Sequence, residues 1–203
     1  MTRIFCLVAL ALTLRALPVC AQAAIPSPTV KQFNDGEHWV VAEALTYQIG
    51  DSPYRITVPA GFVTDFASIP RYFHALLKPS DRPGRAGIVH DFLYWEQACT
   101  REQADWILLL AMMESGVDAV TRNLVYRVVD WFGATAWETN QQERSAGFPR
   151  VIPPASMNLP ALALWPTYRR QLFQQGIRPE AKPAATPVYC AAAKTIKVAV
   201  PNW

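Results

Sequence analysis

The sequence predicts an α+β domain, in which a small antiparallel β-sheet is followed by a three-helix unit and a proline-rich C-terminal extension. Three observations carry this expectation. From His38 to Asp65, segments rich in β-branched and aromatic residues alternate partially between apolar and polar, with turn residues between them. From about Arg82 to Trp137, apolar residues recur at helical spacing. Beyond Gly147 the composition changes, and prolines at 149, 153, 154, 160, 166, 179, 183 and 187 punctuate the chain.

The N-terminus reads as an export signal over residues 1–23. Arg3 precedes the apolar run Ile4 to Leu14, and Ala21-Gln22-Ala23 offers the small-x-small pattern of a cleavage site. Arg15 interrupts the apolar stretch, short of the roughly 20 continuous residues that a permanent anchor needs. Lipid attachment at Cys20 is the weaker alternative, since Val19 stands where a small residue is wanted. The chain is therefore expected to be exported, periplasmic or secreted. Residues 24–147 are read as the α+β core domain and 148–203 as the extension; their combined length suits one domain with a buried core.

The formal net charge of +3 includes Arg3 and Arg15, so cleavage would leave the remaining basic and acidic residues almost balanced. No basic cluster argues for a nucleic-acid partner. Cleavage would also remove Cys6 and Cys20 and leave Cys99 and Cys190 in a compartment where disulfides persist. A bridge between them would tie the extension to the central helices. The alternative is two unpaired small apolar residues, because sequence alone cannot bring their Cα atoms within bonding range.

Within the sheet region, "HWVVAEALTYQI" and "YRITVPAGFVTD" read as strands, separated at Gly50-Asp51-Ser52-Pro53 and broken again at Pro59-Ala60-Gly61. In "FASIPRYFHALL", Ser68 is placed to cap a short helix with Pro70 in its first turn. Three helices follow. The first spans about Arg82 to Gln97. The second starts after Thr100, where Thr100 and Gln103 form a capping-box pattern, and runs to Gly116. The third runs from about Ala119 to Trp137, with Leu124, Val128 and Trp131 at helical spacing. In the extension only "TYRRQLFQQG" looks helical, and the rest is expected to wrap the domain or to stay partly disordered.

The residues that could carry chemistry centre on "AGIVHDFLYW". On a helix His90 and Tyr94 share a face one turn apart, while Asp91 points about 100° away. Polar groups at the edge of a buried stripe need partners, because an unpaired one costs a few kcal/mol. Asp105, Asp65 and Ser68 are the candidates. A carboxylate is an odd choice for packing in the helix of "WILLLAMM", so Asp105 is expected to accept a hydrogen bond from one imidazole nitrogen of His90. That would leave the other nitrogen free to act as a base. Asp91 could then hold a divalent cation through oxygen contacts, Ca²⁺ being the candidate, with Asp65 supplying a further oxygen. Together these would be a base, its orienting group and an electrophilic metal for attack of water on an ester. The bland reading of the same residues is a buried hydrogen-bond cluster that fixes helix against loop, with Asp65 and Ser68 as turn and cap residues.

"GFVTDFASIPRYF", "HDFLYW" and "EQADWILLLAMMESGV" together resemble the bacterial and phage family known as domain of unknown function 1353. That resemblance spans about Thr46 to Trp137 and implies a fold and a motif set, but no reaction. More locally, the H-D-x-x-Y helix followed by an aspartate on the next helix is similar to the core of secreted phospholipase A2. This second resemblance implies His90 as base, Asp91 as calcium ligand, and Tyr94 and Asp105 as supports of the histidine. The glycine-rich calcium loop of those enzymes is absent, and "TDFASIP" stands in its place.

Three functions are compatible with these residues. The first is an exported hydrolase with a His-Asp site acting on phospholipid esters, calcium-assisted. The second is a non-catalytic cell-envelope or phage-derived binding module in which the His-Asp-Asp cluster is structural. The third is hydrolysis of another envelope polymer with a different metal, which the shortage of histidine and cysteine ligands disfavours for zinc. The expected partner is a membrane-lipid surface or an envelope component, and Trp131, Phe132, Trp137 and Trp165 are candidates for an apolar face meeting a bilayer. Catalysis would require a His90 nitrogen that faces a reachable cleft.

Overall fold

The computed structural model describes residues 25–66 and 82–196. The expected export signal, Ser68 with its short helix, and His74 lie outside the described residues. Among the described residues five strands precede the helices: β1 (Val30–Gln32), β2 (Trp39–Val41), β3 (Leu45–Gln48), β4 (Arg55–Val58) and β5 (Val63–Thr64). The helices are α1 (Arg82–Glu96), α2 (Arg101–Glu114), α3 (Ala119–Ser145), α4 (Trp165–Gln174) and the short α5 (Val188–Ala192). This is the expected α+β class, with antiparallel pairing throughout.

The strands form two small sheets rather than one. In the β3–β4 hairpin, Leu45 and Tyr47 pair with Val58 and Ile56 and turn inward, while Thr46 and Thr57 pair on the outer face through their hydroxyls at 3.1 Å. This is the period-2 alternation of a sheet with one buried face. The second sheet has the order β1-β2-β5 and lies between two apolar cores. Val41 joins the main core beneath the helices, whereas its neighbour Val40, with Val63, joins a second core made with Phe33, Ile152, Leu159, Trp165 and Leu172. Successive residues of one strand thus serve opposite sides, and the extension supplies half of the second core. The junction depends on Gly61, whose φ is +87° and where an added Cβ would fall onto the carbonyl of Ile152. Its carbonyl accepts from Ile152 N at 2.9 Å. At the β1–β2 turn, the Asp35 carboxylate accepts from His38 N and from Trp165 N, which ties that turn to the start of α4.

Helix α1 is the central element. From Ala86 to Trp95 every residue is buried except Phe92, which is half-buried, as a helix that is apolar almost all round requires. Helix α2 begins at the expected capping box, with Thr100 Oγ1 accepting from Gln103 N and the Gln103 side chain accepting from Thr100 N. Helix α3 differs from the expectation in two ways. It continues to Ser145, because "ETNQQERS" lacks apolar periodicity but contains no helix breaker; it stops at Gly147 (φ +84°), where Gly147 N and Phe148 N bond to the carbonyls of Arg144 and Glu143. Its core stripe is also rotated: Val125, Val128, Val129 and Gly133 face inward, while Leu124 and Trp131 are exposed. Small and β-branched residues occupy the inner face, so α3 can lie close to α1.

In the extension, α4 covers most of "TYRRQLFQQG". Cys99 and Cys190 form a disulfide with their Cα atoms 5.3 Å apart, and Trp106 Nε1 donates to Ala193 O at 3.0 Å beside it. Among the described residues no helix is long and apolar enough to cross a membrane.

Candidate functional site

Because α1 is enclosed, each of its polar side chains must find a partner inside the protein. His90 and Tyr94 lie one turn apart with ring centroids 4.1 Å from each other, and both reach Asp105 near the start of α2. His90 Nε2 is 2.9 Å from Asp105 Oδ1, and the Tyr94 hydroxyl donates to the same oxygen at 2.6 Å. Arg101, one turn before Asp105, donates through Nη1 to Oδ2 at 3.1 Å. A carboxylate oxygen accepts, so Nε2 donates and carries the imidazole proton. The lone pair of the neutral ring then sits on Nδ1, which is buried and has no hydrogen-bond partner among the described residues. The His90 residue as a whole is 3% exposed.

Burial pushes the Tyr94 phenol well above its ordinary range, and the Asp105 charge adds to the effect, so Tyr94 remains a donor. Burial lowers the Arg101 pKa, but the charge of Asp105 and the bond to Tyr94 outweigh it, and the net shift is upward. The backbone of α3 completes the enclosure. A Cβ at Gly133 would collide with the Tyr94 hydroxyl, so only glycine admits that hydroxyl here. Trp137, one turn on, meets the Tyr94 ring edge-on at 5.1 Å.

Asp91 faces the other way, toward β5. Its Oδ2 accepts from the Thr64 hydroxyl at 2.5 Å and from Asp65 N at 3.2 Å, and Thr64 Oγ1 in turn accepts from Phe66 N. This holds the end of β5 against α1. The Asp65 carboxylate lies 3.4 Å from Arg150 Nη2, while Arg150 also donates to Val63 O and to Asn140 Oδ1. Asp91 and Asp65 are thus neighbours, but each carboxylate is engaged by protein donors. Among the described residues no group of three His, Cys, Asp or Glu side chains could hold a metal ion.

Sequence reasoning misses four residues of this arrangement. Arg101 carries a readable signal, since it stands four residues before Asp105 on one helix face. Gly133, Thr64 and Arg150 carry none, because their roles arise from contacts between elements distant in the chain. Of the four aromatic residues considered for a bilayer-facing surface, Trp131 and Phe132 are 67% and 52% exposed. Trp165 is buried in the second core and Trp137 is half-buried against Tyr94, so neither belongs to such a face.

No curated protein and no solved structure matches the chain. A family model does match, and the matched stretch contains His90, Asp91, Tyr94, Asp105 and Asp65. Over residues 39–129 the chain is similar to the family described as "Protein of unknown function (DUF1353)".

Proposed function

We propose that this protein is an exported hydrolase in which His90 acts as a general base on an ester, with phospholipid esters as the substrate class. The observation that carries this reading is the Nδ1 atom of His90. Asp105 fixes the ring through Nε2, and Nδ1 is left as a buried acceptor without a partner among the described residues. Leaving such a group unsatisfied costs about 1–3 kcal/mol, which a purely structural cluster could avoid with a different side chain. In the reaction, Nδ1 takes a proton from water as the water oxygen adds to the ester carbonyl. The imidazolium, stabilised by Asp105, then returns that proton to the departing alkoxide. The local similarity of the H-D-x-x-Y helix to phospholipase A2 supports the assignment of base and orienting group. The Cys99–Cys190 bridge supports an oxidising compartment.

One observation favours the binding-module reading instead: Nδ1 is buried and His90 as a whole is 3% exposed, so general-base action requires the surrounding packing to open and admit water. Two measurements separate the readings. Vesicles of phosphatidylethanolamine and phosphatidylglycerol should release fatty acid with the purified protein, assayed both with calcium and with a chelator. His90→Gln should reduce release by about 100-fold or more, the usual scale for losing a general base, while the unfolding midpoint stays close to wild type. A small α-haloketone should alkylate His90, detected by peptide mass. Neither fatty-acid release nor alkylation would leave the cluster as a structural lock and sink the hydrolase reading.

A further inference from the structure

A cleft of about 430 Å³ lies between the second half of α3 and the extension, away from the Asp105 cluster, and its lining includes Arg150, Arg169, Asp65, Thr139, Phe132 and Trp165. Two guanidinium groups share this lining; burial disfavours the charge of Arg169, Glu143 partly offsets this, and the charge of Arg150 adds to it slightly. Both are held firmly. Arg150 is fixed by Val63 O and Asn140 and lies over the Phe62 ring, while Arg169 donates to Pro149 O and pairs with Glu143 at 2.7 Å.

Neither arginine has its donors fully used. Arg150 Nη2 meets the Asp65 carboxylate at 3.4 Å, near the limit of a hydrogen bond. Arg169 Nη2 is buried and has no hydrogen-bond partner among the described residues. The fixed, incompletely satisfied guanidinium of Arg150 suits the forked geometry of a phosphate, while Arg169, whose Nη2 is closed off from solvent, adds positive charge to the wall. The Thr139 hydroxyl adds a neutral partner, and Phe132 and Trp165 add apolar wall. Asp65 and Glu143 both line the cleft and oppose an anion, and the long contact of Asp65 with Arg150 is the one that an incoming oxyanion would replace.

We propose that this cleft binds a phosphate ester with an apolar body, using Arg150 as the principal anchor. The site is independent of whether His90 is catalytic, although an alkyl phosphate is also the chemistry of a phospholipid headgroup. Hexyl phosphate, titrated calorimetrically into the purified protein, should bind at least tenfold more tightly than inorganic phosphate. Thr139→Trp, a substitution at an exposed helix position that fills the cleft, should weaken binding at least tenfold. Asp65→Asn should tighten it several-fold by removing the carboxylate that competes for Arg150. No saturable binding, binding indifferent to Thr139→Trp, or weaker binding in Asp65→Asn would each overturn the proposal. Displacement of hexyl phosphate by phosphatidylglycerol vesicles would identify the source as a lipid headgroup, and failure to displace it would identify a soluble ester, both with the site upheld. His90→Gln should bind hexyl phosphate as wild type does, so loss of hydrolysis and loss of this site are separable results.

Discussion

Asp105 receives donors from three side chains on two helices, and each donor is there for a local reason. Tyr94 follows His90 by one turn, and Arg101 precedes Asp105 by one turn, so helical periodicity brings each pair onto one face before the two helices meet at the carboxylate. That is why His90, Tyr94 and Asp105 are legible in the sequence. Gly133 is not, because its importance lies in a tertiary contact. Alanine normally exceeds glycine in a helix interior by about 1 kcal/mol. Here the added Cβ would collide with the Tyr94 hydroxyl, and displacing it would loosen a buried bond to Asp105. Gly133→Ala is therefore expected to destabilise the protein by about 1–3 kcal/mol, the usual scale of overpacking. Urea unfolding measures this directly; a stabilised variant would show that the hydroxyl does not occupy this position.

At the scale of elements, the three helices are readable from apolar spacing and capping residues, the second most clearly from its capping box. The division of the strands into two sheets is not readable, because it depends on which side of β2 the extension packs. The core stripe of α3 escapes the sequence for a related reason: Trp131 and Leu124 are apolar but face outward, and periodicity alone does not say which apolar residues turn in. The contact of α2 with the β3–β4 hairpin carries a pH dependence. Glu114, buried at the end of α2, faces the buried Tyr47 of β3, and neither side chain meets full hydrogen-bond geometry. Burial raises the Glu114 pKa from 4.5 to about 7, with the nearby Asp51 charge adding to the rise. The folded state therefore binds this proton more tightly than the unfolded state. The associated stability is full below about pH 4.5, falls as pH rises toward 7, and stays lost above it. The loss is on the order of 2–3 kcal/mol. Unfolding midpoints between pH 5 and pH 8 should fall for the wild type and fall less for Glu114→Gln; parallel profiles would remove Glu114 as the cause.

For the molecule as a whole, the extension is a structural partner of the sheet, not merely a tail following the helices. Ile152, Leu159, Trp165 and Leu172 close the second core over Val40 and Val63, and Asp35 holds the start of α4. The proline-rich composition signals a change of organisation, but not where the segment packs. Its last part is attached differently: α5 buries Cys190 and little else, and the bridge to Cys99 closes a separation of 91 residues. In the chain-entropy account, a loop of that length contributes about 4–5 kcal/mol by restricting the unfolded chain. Trp106 and Ala193 add one hydrogen bond, and the exposed Lys194–Glu102 pair adds little. The bridge should therefore dominate the attachment of α5. A Cys99→Ser, Cys190→Ser double variant is expected to lose about 3–5 kcal/mol in urea unfolding. It should also be cut by protease within the exposed 181–186 segment before the second core opens, as followed by mass spectrometry. An unchanged midpoint with an unchanged cleavage pattern would mean that α5 is held by packing, and that the disulfide contributes nothing to holding the extension in place.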